Sequence, residues 1–389
     1  MRSRLNFKFW MCVMGGLLWM VLLGLPTSVQ AKVTGQCALC HTMHNSQNGQ
    51  AMTSDGSTHR ALTRADCIGC HTADASHDNN GTNIIPYVMS VNEPTYDLTG
   101  TESDTDTLAG GSFYWVATNG ANNPTCGHNV AGLAAQDTNL GLTPPGWCAT
   151  IESSTYAQLA GEVTNGHGWT KQLTCAGTWG CHGKHVGPNG EDLDDFAAIR
   201  GAHHGDDGSI NGTTVANSFR FLFGITGSEC NISGHKWEYH PDSTDHNQYQ
   251  GANDYNLSTK DPHTISYLCA ECHGEFHADT GGGSPWLRHP TDYEMQNKGE
   301  YAYYGGGSPT NDSHTYQVIA PVASEDATSI LSTVSFASNQ GIVTCISCHR
   351  AHGTPYPDLL RWDYDQYCIA GGTYTADQCG CFKCHTQKQ

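Results

Sequence analysis

The sequence predicts a chain of mostly irregular structure, with short α-helices and few strands, built around covalently tethered groups instead of an aliphatic core. Three observations carry this expectation. Glycine supplies 45 of 389 residues while Leu, Ile and Val are sparse, a composition poorly suited to burying a core of its own. Cysteine and histidine reach 18 and 22. They also fall into register, because five C-x-x-C-H units stand in the chain. The first is Cys37, Cys40 and His41, and the second is Cys67, Cys70 and His71. The others are Cys269, Cys272 and His273, then Cys345, Cys348 and His349, and last Cys381, Cys384 and His385.

In this composition chance would place only roughly 0.05 such units. C-x-x-C-H is the attachment signature of c-type haem, in which two thiols form thioethers and the adjacent histidine ligates iron from one face. Zinc sites also use C-x-x-C, but they need two further ligands at ordered spacing and make no demand for the adjoining histidine. A sixth site is read in Cys175-Ala-Gly-Thr-Trp-Gly-Cys181-His182, where five residues separate the thiols. Either the widened loop carries two thioethers and leaves Cys230 over, or Cys181 alone anchors the haem and Cys175 bridges Cys230. His182 is the proximal ligand in both cases. Disulfides are expected at Cys126–Cys148 and Cys368–Cys379, each closing a short loop in an oxidising compartment. Six haem c groups amount to one per roughly 60 residues, so that flat apolar rings supply the interior.

Further histidines recur at fixed offsets: His44, His185 and His352 stand three residues after a motif histidine, and His277 stands four after His273. Residues three or four apart share one side of a helical turn. Such a histidine cannot reach the far face of the iron its neighbour holds, so it must serve a different haem. Gly- or Pro-rich contexts expose His128, His203, His204 and His289. The expected distal set is His44, His128, one of His203 and His204, His277, His289 and His352, with His185 and His314 in reserve. His59, His77, His167, His235, His240, His246 and His263 are read as surface or hydrogen-bonding residues. Arg288, Arg350 and Arg361 are candidates for pairing with haem propionates or, equally, for solvated positions. Iron filled on both sides by imidazole exchanges electrons and binds no substrate. No C-x-x-C-K unit marks an open site, and the pattern therefore points to electron transfer and away from catalysis.

The chain begins with Arg2, Arg4 and Lys8, an apolar run from Phe9 to Leu25, Pro26 and a Val29-Gln30-Ala31 site. This reads as a secretory signal peptide over residues 1–31, the run being short for a membrane span. The mature part, 32–389, reads as a single hexahaem unit with no membrane span. Removing the leader takes away three of the 18 basic residues and none of the 37 acids. The resulting formal charge of −22 argues against nucleic acid and anionic lipid as partners. The stretch between His71 and Cys175 is Gly/Asn/Thr-rich, and Gly-Gly runs at 110–111, 281–283 and 305–307 punctuate the chain. A short helix is expected near Phe219–Phe223.

In order along the chain, CALCHTMHNSQNG, Gly127-His128-Asn129-Val130, CAECHGEFH, WLRHP, CISCHRAHG and the closing CFKCH resemble the OmcS-type hexahaem cytochromes, filament-forming nanowire proteins on the surface of metal-reducing bacteria. The widened CAGTWGCH departs from that pattern, in which the unit has ordinary spacing. The resemblance implies bis-histidine haems stacked in a continuous row and protomers joined head to tail. It also implies that His44 ligates a haem of the neighbouring subunit. The function expected is extracellular electron transfer toward partner cytochromes or metal oxides. The alternatives are a soluble or surface-attached carrier that does not polymerise and a multihaem reductase with one open haem.

Overall fold

The computed structural model of the chain describes residues 37, 40–44, 46–47, 50–51, 66–73, 85–96, 107–119, 125–139, 141–145, 147, 169–205, 210–232, 235–238, 241–254, 261–277, 289–369 and 378–387. The expected leader, His59, His77, His167, His240, Cys148 and Arg288 lie outside the described residues, and the side chains of His235 and His277 do too.

Among the described residues the regular elements are short, as the glycine-rich composition predicts. The helices are α1 (Cys67–Cys70), α2 (Tyr114–Asn119), α3 (Asp195–Ala198), α4 (Ile265–Ala270), α5 (Gly274–His277), α6 (Tyr364–Tyr367) and α7 (Cys381–Cys384). Strands run two or three residues and pair only two by two. No helix among the described residues is long and apolar enough to cross a membrane. At Phe219–Phe221, where a helix is expected, the chain makes one tight turn whose Arg220 and Phe221 lie in the left-handed region.

Each C-x-x-C-H unit closes one helical turn. The histidine N–H donates to the carbonyl of the first cysteine at Cys37, Cys67, Cys269, Cys345 and Cys381, at 2.8 to 3.1 Å. At the first motif the Cys40 N–H shares the Cys37 carbonyl at 3.1 Å, which tightens the turn toward 3-10 geometry. Local polar residues start several of these turns where the chain would otherwise leave N–H groups unsatisfied. The Asp66 carboxylate accepts from Gly69 at 2.8 Å, and the Thr264 hydroxyl from Tyr267 at 3.2 Å. Thr344 and Ser347 form a reciprocal capping box ahead of Cys345.

The apolar interior is divided into several small clusters, and motif residues pack against four of them. Cys384 lies against Met295, Tyr304 and Phe336. Cys272 lies against Trp169 and Trp179, and Cys348 and Cys381 against Trp362 and Ile319. Next to Cys345, Ile346 packs on Phe219, Ile225 and Ile342. The first motif differs in that Cys37 is an exposed thiol, whereas Cys40, like the other motif cysteines, is half-buried. The Cys368–Cys379 disulfide is present and fastens the segment ahead of α7. Cys126 is a buried thiol whose Sγ donates to the Pro355 carbonyl at 3.7 Å. The expected Cys126–Cys148 bridge is therefore not made at this end, and its other end lies outside the described residues.

Candidate functional site

The motif histidines are brought face to face with histidines from elsewhere in the chain. Ring centroids lie 5.7 Å apart for His41 and His204, 6.3 Å for His71 and His203, and 6.4 Å for His182 and His352. They lie 6.1 Å apart for His273 and His128, and 6.0 Å for His385 and His289. These separations are wider than those of the tightest ring stacks in the protein. Rings in contact elsewhere in the protein, His246 on Tyr316 and His314 on Phe336, stand at 3.4 and 3.9 Å. An imidazole nitrogen binds a first-row metal at about 2.0–2.1 Å with the ring centre about 1.1 Å behind it, so two rings on one ion put their centres roughly 6 Å apart. The centroid separation in all five pairs matches that expected of two imidazoles on one ion. Interplanar angles from 18° to 76° agree, because both rings contain the nitrogen–metal axis and can turn about it.

In five of these ten rings, and in the motif histidine His349, the other nitrogen is anchored. Nδ1 donates to the carbonyl of Pro86 from His71, of Ala351 from His128, and of Arg220 from His182, at 2.6, 2.6 and 3.0 Å. From His273, His289 and His349 it donates to Pro145, Pro290 and Asp358 at 2.7, 2.9 and 2.7 Å. Holding Nδ1–H on a carbonyl fixes the tautomer and leaves the Nε2 lone pair for a metal. Burial favours the neutral form of His203 and His273, pulled down to about 4, and of His352, pulled down to about 3, with neighbouring histidines adding to the effect.

Two anchors share an unusual backbone. Arg220 and Phe221 both lie in the left-handed region (φ 54° and 61°), as do Asp358 and Leu359 (φ 60° and 57°). In each pair the first carbonyl holds the motif histidine, while the second accepts the N–H of the residue after it, Gly183 or Arg350. Consecutive non-glycine residues at positive φ are costly and persist where surrounding structure demands them. The same clip seats the imidazoles of the third and fifth motifs, while a further left-handed pair, Trp237 and Glu238 (φ 74° and 59°), holds no motif histidine. Opposite His182, the ring of His352 lies against Gly110, where an added Cβ would come within 2.6 Å of His352 Nδ1.

The third motif reaches the same thiol geometry by another route. Thr174–Ala176 and Gly180–His182 pair as parallel strands, Thr174 opposite Gly180 and Ala176 opposite His182. That register sets Cys175 opposite Cys181. Opposed residues of a parallel pair point to one face about 4.8 Å apart, close to the spacing of i, i+3 side chains on a helix. Gly177, at φ 84°, turns the chain between the strands, where a Cβ would meet the Leu193 carbonyl at 2.4 Å. Cys175 and Cys230 are both thiols and are not bridged to each other.

Thiols of successive motifs meet. Cys67 hydrogen-bonds Cys175, which lowers the Cys67 thiol and raises that of Cys175. These two and Asp195 fall within 4.8 Å of one another. Cys269 hydrogen-bonds Cys345, and the charges of Cys181 and Cys384 bear on Cys272 and Cys348. The first and second motifs, Cys37, Cys40 and His41 and then Cys67, Cys70 and His71, meet through the adjacent His203 and His204. The six motifs thus follow one another in space in their order along the chain.

Several expected residues have other placements. The sequence reading asks one of His203 and His204 to serve, whereas the rings of both face motif imidazoles. His314 has both ring nitrogens engaged, by Tyr304 O at 2.9 Å and Asp312 Oδ1 at 3.1 Å, and leaves no lone pair for a metal. The reserve His185 is turned to Glu271 at 3.1 Å. His246 is buried between the carbonyls of Asn247 and Leu331, and His263 is exposed, in line with hydrogen-bonding and surface roles. His44 is exposed at a tight turn closed by reciprocal hydrogen bonds between Met43 and Ser46, with φ 52°. Among the described residues no imidazole faces His349 at the spacing of the other pairs.

The residues fit a group that carries its own acceptors. Arg361 is 3% exposed and held only by the carbonyls of Ile346 and Val318. Its Nε, like the indole Nε1 of Trp169, Trp179 and Trp237, is buried without a hydrogen-bond partner among the described residues. A buried guanidinium that meets no carboxylate, and buried N–H donors left over, each cost free energy unless an anionic acceptor is supplied. The carboxylates of a haem would supply it. Arg350 is likewise buried, its Nη1 on the Ala109 carbonyl and its guanidinium over Tyr96, so a solvated position is excluded for both arginines. The sequence reading missed the anchoring carbonyls, which leave no mark because any residue type can offer one. It also missed Glu271, whose signal was an acid placed inside a C-x-x-C unit.

No family model and no curated protein matches the chain. Two solved structures are similar to it. One is the outer membrane cytochrome S filament from Geobacter sulfurreducens, at 19% identity and TM-score 0.48, covering 92% of this chain and 99% of that one. The other, the OmcS nanowires of the same organism seen by cryo-EM, gives 19% identity, TM-score 0.45 and the same coverage.

Proposed function

We propose that this protein is an extracellular electron conductor holding six c-type haems, each gripped by two imidazoles, and that it acts as the subunit of a polymeric filament. The single observation that carries the reading is the set of five imidazole pairs at 5.7 to 6.4 Å, each joining a motif histidine to one from another part of the chain. When bound, the haems supply one-electron carriage toward partner cytochromes or metal oxides. The chain's residues do the rest: paired thiols anchor each site, carbonyls orient the inner nitrogen of six of the histidines, and burial favours the neutral form of His203, His273 and His352. With two imidazoles to each iron no position is left for a substrate, and the protein is a carrier, not an enzyme.

His349 completes the argument for assembly. It is anchored on Asp358 like the other motif histidines, yet no described ring of its own chain faces it. His44 is exposed on a turn that projects it from the surface, and we assign it to the iron of His349 in the next subunit. A contact between two different surfaces propagates as an open head-to-tail filament. The reading is tested by intact-mass spectrometry of the secreted protein. Six haem additions on a chain beginning near residue 32 are expected, and an unmodified polypeptide would end the proposal.

A further inference from the structure

The third and fourth motifs are joined by a contact that the haem reading does not require. His185 Nδ1 lies 3.1 Å from Glu271 Oε2, both side chains being mostly enclosed at 13% and 12% exposure. Glu271 sits between Cys269 and Cys272 of the fourth motif. Its charge bears on Cys181 of the third motif and on Cys272 of its own. The loop that makes the third motif wide is what seats His185. Thr178, in the middle of the Cys175–Cys181 loop, donates its hydroxyl to the His185 carbonyl at 2.6 Å and accepts from the Leu193 N–H at 2.8 Å. The same loop puts Trp179 against Trp169, ring centroids 5.1 Å apart, and this pair packs on Cys272. A two-residue spacer would have no room for either Thr178 or Trp179.

We propose that the widened third motif exists to seat His185 on Glu271, and that this pair clamps the third and fourth haem sites at a fixed separation and tilt. His185 then acts as a positioning residue, its Nδ1 on Glu271 and its Nε2 buried without a hydrogen-bond partner among the described residues. The pair is enclosed, so removing one partner strands the other, a larger loss than at a surface pair. The inference rests on haem occupancy of both motifs. The test is built so that failure of occupancy and failure of the clamp look different.

The experiment compares the wild-type holoprotein with Glu271→Ala, Glu271→Gln and Thr178→Val. Haem content, spin state and the circular dichroism couplet in the Soret region are recorded. That couplet arises from excitonic coupling between neighbouring haems and follows their mutual geometry. The clamp predicts that Glu271→Ala and Thr178→Val keep six low-spin haems but lose couplet amplitude, while Glu271→Gln, which keeps a hydrogen bond to His185, recovers most of it. Should Glu271→Ala fail to load haem, the Thr178→Val result decides. An unchanged couplet in variants holding six haems overturns the clamp and leaves the haem reading standing. One high-spin haem in His185→Gln would assign His185 as a ligand and overturn it equally. Wild-type protein without haem at the third or fourth motif would sink the underlying reading instead.

Discussion

His203 and His204 are neighbours in the chain, yet their rings face different motif histidines, His71 at 6.3 Å and His41 at 5.7 Å. One dipeptide thereby joins the first two sites. Its two side chains diverge, so each ring can enter a separate site while the backbone between them fixes how close those sites stand. His203 is pulled down to about 4 by burial first, then by the charges of His71, His204 and His41 around it.

Replacing either residue should therefore disable one site and not both. His203→Ala is expected to turn one of six haems high-spin, His204→Ala a different one, and the double variant two. Counting high-spin iron by electron paramagnetic resonance checks this. Loss of two sites from a single substitution would mean that the rings do not serve separate irons.

The strand pairing of the third motif predicts a true double attachment. Cys175→Ala should leave six haems, one held through a single thioether, with a red-shifted α-band in the pyridine haemochrome spectrum. Cys230→Ala should leave that spectrum as in the wild type. If Cys175 instead bridged Cys230, both variants would give wild-type haemochrome spectra and each would release a partner thiol to alkylating reagents.

Glu294 gives a pH dependence with a definite sign. It is 6% exposed, and burial, reinforced by the charges of Glu325 and Asp312, pushes its carboxyl up to about 8 against the hydrogen bond from the Gly341 N–H. The folded carboxyl holds its proton to higher pH than the unfolded one. Its contribution to stability is complete below about pH 4.5 and is lost as pH rises through 8. Glu294→Gln should match the wild type near pH 4 and exceed it at pH 9 by on the order of a few kcal/mol. Thermal melts at the two pH values measure the difference, and equal melting temperatures at pH 9 would contradict the assignment.

Assembly is expected to depend on one side chain. His44→Ala should load six haems, remain monomeric on size exclusion, and show one high-spin iron, that of His349. Filaments from this variant, visible by electron microscopy, would remove His44 from the interface.

Much of the candidate site was legible because a C-x-x-C-H unit writes itself locally. Cys, Cys and His must lie within one turn, and the chain forms that turn wherever the motif occurs. The Gly and Pro contexts of His128 and His289, and the offset of His352, also marked their rings as presented to a partner. The Cys368–Cys379 disulfide, closing a short loop, was equally readable. What could not be read depends on through-space register. Cys175 meets Cys181 by strand pairing across a five-residue loop, which spacing alone disguises. That Cys37 is exposed while Cys272 and Cys348 lie against aromatic clusters follows from what packs over each turn, and the five motifs look alike in sequence. That the rings of both His203 and His204 face motif imidazoles follows from where the chain runs on either side, and no sequence signal separates one role from two. The left-handed pairs Arg220–Phe221 and Asp358–Leu359 contain no glycine to announce them. Arg361 gave no hint of burial because the group that would neutralise it is not made of amino acids.

The claim on which the account depends is that every iron lies between two imidazoles. Near-infrared magnetic circular dichroism of the native, assembled protein reads axial ligation directly. The account predicts six haems per chain with the bis-histidine low-spin signature and no other. A methionine-ligated or high-spin fraction in the intact assembly, or fewer than five haems per chain, would contradict it.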